Sequence, residues 1–121
     1  MPHIHVEYSD NVQLNVPQVL AALNAALFAS GHVSSALDIK SRALCQKDYL
    51  IGFSPDPQQA YVHVKLSILT GRSLNIQQQM SAALLQALQQ NVPQPSAVTV
   101  QLCVEVLEME QAVYSKAVLS I

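Results

Sequence analysis

Apolar and polar positions alternate from the first residues of the chain. Over residues 2–8, Ile4 and Val6 fall on one side, and His3, His5 and Glu7 on the other, the period-two pattern of a half-buried strand. Ser9, Asp10 and Asn11 form a turn cluster, after which Asn15 offers a helix N-cap and Pro17 is tolerated in the first turn. Val16, Val19, Leu20, Leu23 and Leu27 then recur at helical spacing, and Gly31 supplies a stop. From Ala36 to Phe53 the alternation returns less regularly, with Leu37, Ile39, Ala43 and Cys45 set against Asp38, Lys40 and Arg42, which predicts a second strand or a bent hairpin. Ser54-Pro55-Asp56-Pro57 ends it, because two prolines around an aspartate cannot continue a central strand.

The order then repeats. Tyr61 to Leu69 is predicted as a strand, with Val62, Val64, Leu66 and Ile68 on one face and Tyr61, His63, Lys65 and Ser67 on the other. Thr70-Gly71-Arg72-Ser73 reads as a tight strand-to-helix turn. The helix that follows places Ile76, Met80, Ala83, Leu84, Ala87 and Leu88 on one side and glutamines on the other, and Pro93 and Pro95 end it. Ala97 to Leu107 has the cleanest strand pattern, with Val98, Val100, Leu102, Val104 and Val106 on one face. The tail from Glu108 to Ile121 has no clear period and is expected to form a short strand or helical turn docked on a neighbouring subunit.

Helices between successive strands favour parallel pairing within each unit. The expected architecture is therefore α+β in two layers: a duplicated β-α-β with a four-stranded mixed sheet and both helices on one face. The 121 residues fit one domain, 1–121, with halves at about 1–53 and 59–107 and a tail at 108–121.

Composition adds a constraint that the periodicity does not carry. Half of the residues are hydrophobic and only 12% are charged, against roughly 25% in an average soluble domain. So little polar material cannot cover an isolated small domain, and part of the apolar surface is expected to be hidden against other copies. The net charge of −2 offers no basic footprint for nucleic acid. No apolar run approaches the roughly 20 residues of a bilayer helix, and no secretory signal pattern opens the chain; a soluble cytoplasmic protein is expected. Cys45 and Cys103, the only cysteines, are far apart in sequence and read as reduced, packed thiols.

Charges this scarce make each one informative, and Arg42 and Arg72 are the only arginines. Pro2 follows the initiator methionine, and removal of Met1 leaves a secondary amine that can act as a base in a desolvated or cationic setting; with Met1 retained, the same nitrogen is an amide and cannot. His3, His5 and His63 lack a carboxylate or cysteine at supporting ligand spacing, so no metal site is expected. Cys45 with His32 or His63 lacks an orienting third group, which speaks against a thiol nucleophile. Gly71-Arg72-Ser73 lacks the further glycines and the lysine of a phosphate loop.

Three segments carry a more specific signal: Met-Pro-His-Ile-His-Val-Glu-Tyr-Ser-Asp-Asn at 1–11, Ile39-Lys40-Ser41-Arg42, and Ala60 to Ile68 leading into Gly71-Arg72-Ser73. Up to about Met80 the chain resembles, in order and spacing, the 5-carboxymethyl-2-hydroxymuconate isomerase family of the tautomerase superfamily; beyond that the likeness is architectural. The resemblance implies a homotrimer whose sheets turn their open faces toward the threefold axis. It further implies a cofactor-independent isomerase of aromatic catabolism, acting on a small anionic dienol or oxo-acid. In the implied reaction a 2-hydroxydienoate loses its hydroxyl proton and gains one at C5. Pro2 matches the catalytic proline, and Arg42 and Arg72 match cationic positions that bind and polarise the acid groups. Guanidinium forks pair with carboxylates in bidentate fashion, and a helix start at Arg72 adds free backbone N–H groups. Lys40, also expected at the substrate, stands where the family often has arginine; lysine keeps the charge but loses the planar fork, which leaves the substrate's carboxylate pattern open. A non-catalytic trimeric binding protein on the same scaffold is the alternative reading.

Overall fold

A computed structural model describes residues 1–93 and 97–120 of the chain. The elements in order are β1 (His3–Ser9), α1 (Val16–Ala29), β2 (Lys40–Gln46), β3 (Gln59–Leu69), α2 (Leu74–Asn91) and β4 (Thr99–Met109). They form one four-stranded sheet in the order β2-β1-β3-β4. β1 and β2 are parallel, β3 and β4 are parallel, and the two pairs meet through the antiparallel β1–β3 ladder. Both helices lie on one face, packed on each other, with α1 over β2 and α2 over β4. This is the predicted duplicated β-α-β architecture.

Period-two patterning explains which face the helices cover. Ile4 and Val6 of β1, with Ala60, Val62, Val64, Leu66 and Ile68 of β3, are almost wholly removed from solvent and meet Val19, Leu23 and Leu27 of α1 and Met80, Leu84 and Leu88 of α2. Full burial of such a side chain stabilises by about 1.5–3 kcal/mol, so this stripe supplies most of the driving force for folding. The helix ends follow local chemistry. Asn15 accepts from the Gln18 N–H at the start of α1, and Ser73 accepts from the Ile76 N–H at the start of α2. Gly31 takes φ +84°, the left-handed turn that ends α1.

Several expectations are corrected. Ala36–Asp38 is a 3-10 turn, not the beginning of a strand, because the Ser35 hydroxyl caps it by accepting from the Leu37 N–H; Leu37 is therefore 90% exposed. β2 stops at Gln46, and no hairpin partner follows it. Beyond it, Asp10 pairs with Gln46 while the chain leaves the sheet toward the proline-bounded turn at 54–57. Ala97 has φ +79°, which lies outside strand geometry, so β4 starts at Thr99 and continues to Met109. Pro95, assigned a role in ending α2, lies outside the described residues; Val92 caps that helix by donating to the Leu88 carbonyl. Cys45 and Cys103 are free but exposed, not packed: Cys45 sits on the edge strand and Cys103 on the uncovered face of β4.

The tail makes the expected helical turn, a single 3-10 turn at Gln111–Val113, after which the chain folds back over its own sheet end as far as Lys116. Three contacts hold it there. The Thr70 N–H donates to the Met109 carbonyl, the Gln111 N–H donates to the Thr70 hydroxyl, and the Tyr114 hydroxyl meets His3 Nε2 at 3.2 Å.

Candidate active site

The antiparallel register of β1 and β3 sets the site. His3 lies opposite Ser67, so the start of β1 is adjacent to the end of β3 and to the turn that carries Gly71 and Arg72 into α2. Parallel pairing places Lys40, the first residue of β2, opposite His3, and the Lys40 N–H donates to the Pro2 carbonyl at 3.2 Å. One end of the sheet thus gathers Met1, Pro2, Lys40 and Arg72, with the returning tail laid over it. Pro2 is buried and continues the inward parity of Ile4 and Val6.

The charges at this end are unbalanced. Burial is the main cause that holds the Met1 amine below its ordinary value. Asp38 opposes the shift, while Arg72, Lys40 and Lys116 reinforce it. Three of the chain's six lysines and arginines are therefore felt at the amino terminus, against one carboxylate. The Lys40 ammonium donates to the Asp38 carbonyl at 2.9 Å, and Lys116 Nζ stands 3.6 Å from the Asp38 carboxylate. Both ammonium groups also reach the Met1 thioether, at 3.9 Å from Lys40 and 2.8 Å from Lys116.

Arg72 donates to the His32 carbonyl at 3.0 Å, and its own carbonyl accepts from the Gln77 side chain. Among the described residues neither arginine forms a salt bridge. The Arg72 charge thus lacks a carboxylate partner and stands beside the start of α2, whose first turn contains no acidic residue. A cation next to free helix N–H groups favours an anion.

Arg42 is placed differently. It lies opposite His5 on the sheet face away from the helices and lines a groove of about 290 Å³ with His5, Glu7 and Leu44. Its guanidinium donates to His3 Nδ1 at 3.0 Å and to His5 Nε2 at 2.8 Å. Guanidinium can only donate, so both imidazole nitrogens must carry lone pairs; His3 then bears its proton on Nε2, facing Tyr114, and His5 on Nδ1. Desolvation first, then the Arg42 charge, holds both histidines below their ordinary pKa, in agreement with neutral rings. Arg42 thus reaches the tail by way of His3 and Tyr114, while Arg72 and Lys40 stand near the amino terminus itself.

His63 does not join His3 and His5. It faces Glu105 across the β3–β4 ladder, and Lys65 pairs with Glu7 at 3.7 Å. Sequence reasoning missed three residues of the site: Asp38, Tyr114 and Lys116. The sequence offers Asp38 as a polar alternation position or as a structural partner of an arginine, whereas its ion pair is with Lys116, and the tail carries no periodic signal.

A sequence model of the 5-carboxymethyl-2-hydroxymuconate isomerase family matches residues 2–118. None of the curated proteins compared matches the chain significantly. Among solved structures, a 5-carboxymethyl-2-hydroxymuconate isomerase from Deinococcus radiodurans R1 superposes with a TM-score of 0.84 at 29% identity, over 96% of this chain and 88% of that one. A 5-carboxymethyl-2-hydroxymuconate delta-isomerase gives 0.75 at 19% identity, over 99% and 89%. A fused 4-OT symmetric trimer gives 0.64 at 15% identity, over 88% and 85%, a likeness of fold alone.

Proposed function

The chain belongs to the 5-carboxymethyl-2-hydroxymuconate isomerase family, isomerases of the tautomerase superfamily, and from that premise we propose that it catalyses 1,5 keto-enol tautomerisation of a 2-hydroxydienedioate such as 5-carboxymethyl-2-hydroxymuconate. Pro2, freed by removal of Met1, is the proton carrier. Its amine takes the 2-hydroxyl proton, electron density moves through the diene, and the proton is returned at C5 to give the 2-oxo-3-enoate. Neither a metal nor a cofactor enters this scheme.

The observation that carries the reading is the cationic, buried setting of the amino terminus. Burial, Arg72, Lys40 and Lys116 hold the Met1 amine low, and the adjoining Pro2 is itself buried with Lys40 bound to its carbonyl; such a setting favours a neutral, proton-accepting amine. Arg72, without an acidic partner among the described residues, holds one acid group and stabilises the negative charge that develops on the dienolate. Lys40 supplies a second positive centre. Arg42 contributes through His3 and Tyr114, keeping the tail seated over the site.

No helix among the described residues is long and apolar enough to cross a membrane. A cytoplasmic homotrimer agrees with the sparse charge and with the exposed Leu37, Leu50, Phe53 and Leu74, and fused 4-OT relatives of this fold are trimers. The test is turnover. Protein whose mass shows loss of Met1 is expected to accelerate the ultraviolet change of 2-hydroxymuconate above buffer, and Pro2→Ala to abolish most of that rate. An undiminished Pro2→Ala rate would overturn the mechanism. Intact Met1 with no turnover would favour the binding-protein alternative.

A further inference from the structure

We propose that Lys116, delivered by the returning tail, is a substrate-binding residue that forms with Lys40 a paired-ammonium seat for the second carboxylate of the substrate. The proposal deepens the tautomerase reading and rests on it.

The argument begins with the poverty of Lys116's present partners. Its contact with Asp38 is 3.6 Å long and partly open to solvent, a type of ion pair worth about 0–1 kcal/mol. Its other neighbour is the Met1 sulfur, a weak acceptor. An ammonium group has three donors, and among the described residues they have one distant carboxylate oxygen and one thioether. Lys40 is in a similar state, with one good bond to the Asp38 carbonyl and the same sulfur beyond it.

The Met1 side chain therefore occupies a position that both ammonium groups address. When Met1 is removed, that position opens directly beside the Pro2 nitrogen. A carboxylate there replaces a weak acceptor with two charged oxygens, one for each lysine. Arg72 remains for the other acid group, so the site holds two cationic centres for a dianion at the end of the sheet where Pro2 lies.

Lys116 is not a loose terminal side chain. The tail is fixed at Thr70, by the Thr70–Met109 and Gln111–Thr70 bonds, and again at Tyr114 on His3, two residues before Lys116. Asp38 then orients both lysines, one through its carboxylate and one through its carbonyl.

The experiment compares Lys116→Gln with the unsubstituted protein, both free of Met1 and matched by far-ultraviolet circular dichroism. With 2-hydroxymuconate, Lys116→Gln is expected to lose about tenfold in kcat/KM, mainly through KM, the order expected for one charge-assisted hydrogen bond. The preference for this dicarboxylate over a 2-hydroxydienoate with a single carboxylate should shrink, and Lys116→Arg should restore most of the loss. Equal kinetics for Lys116→Gln and the unsubstituted protein, or equal losses on both substrates, would overturn the proposal and leave the tautomerase reading intact. If the unsubstituted protein shows no turnover, that reading fails, and calorimetric titration with unreactive cis,cis-muconate decides the seat. Binding weakened about tenfold by Lys116→Gln supports it. Equal binding, or no binding, overturns it.

Discussion

Arg72 shows how a single side chain can be structurally cheap and chemically exposed. Its guanidinium makes one hydrogen bond, to the His32 carbonyl, and meets no acid among the described residues. Arg72→Ala should therefore cost no more than about 1.5 kcal/mol in urea unfolding. The same substitution is expected to lower kcat/KM on a 2-hydroxydienedioate by about ten- to a hundredfold, since a charged contact to substrate is lost. Comparable losses of stability and turnover would instead assign Arg72 to the fold. Arg42, identical in chemistry, has its Nη2 donors committed to His3 and His5, and the sequence contains no sign of that difference. Both arginines look alike as rare charges; the partners that separate them lie 37 to 40 residues away.

At the level of elements, the two helices have equivalent caps at opposite ends of the sheet. α1 begins beyond the end of β1, and α2 begins beyond the end of β3, which runs antiparallel to β1. Asn15 thus caps a helix away from Pro2, while Ser73 caps one beside Arg72. Asn15→Ala and Ser73→Ala should each lower stability by about 1 kcal/mol, read from the urea midpoint. Only Ser73→Ala is expected to reduce turnover as well, because it loosens the turn that holds Arg72. Equal activity in both variants would detach the α2 start from the site. The patterned elements were legible because burial on a strand or helix repeats at 2 or 3.6 residues, as in Val62, Val64, Leu66 and Ile68. The segment at 36–38 was misread for a matching reason: Leu37 and Ile39 alternate like a strand, but the Ser35 hydroxyl closes a 3-10 turn that no periodicity reports.

The whole molecule has a polar sheet face that carries three of its four histidines, and its stability should depend on pH. His3 and His5 have folded pKa values below the ordinary 6.5, so the unfolded chain takes up their protons first as pH falls. Their stabilising contribution is complete above about 6.5 and declines as pH drops from there through the lowered folded values. Urea midpoints are expected to fall between pH 7.5 and 5.5, and a His3→Gln, His5→Gln variant should show a flatter profile. An equally steep profile in that variant would place the acid sensitivity elsewhere. Protonating His3 also removes the lone pair that accepts from Arg42, which should loosen Tyr114 and the tail in the same range. The exposed apolar residues Leu50, Phe53 and Leu74 belong to this scale too, and light scattering at the mass of a trimer is the expected outcome of the proposed assembly.

Taken alone, the sequence determined the two β-α-β units, the buried stripe, the caps of α1 and the family to which the chain belongs. Each of these is written in neighbouring residues, as a repeat, a cap or a contiguous motif. What the tertiary structure decided is the company of Pro2. Asp38 with Lys40, Arg72, and Tyr114 with Lys116 come from three separate stretches of chain, and they meet because β1 and β3 pair antiparallel and the tail folds back over the end where they begin and finish. Lys40 and Arg72 could be named from contiguous motifs, but the contacts that bring Tyr114 and Lys116 to them act between groups distant in sequence, which no local pattern announces.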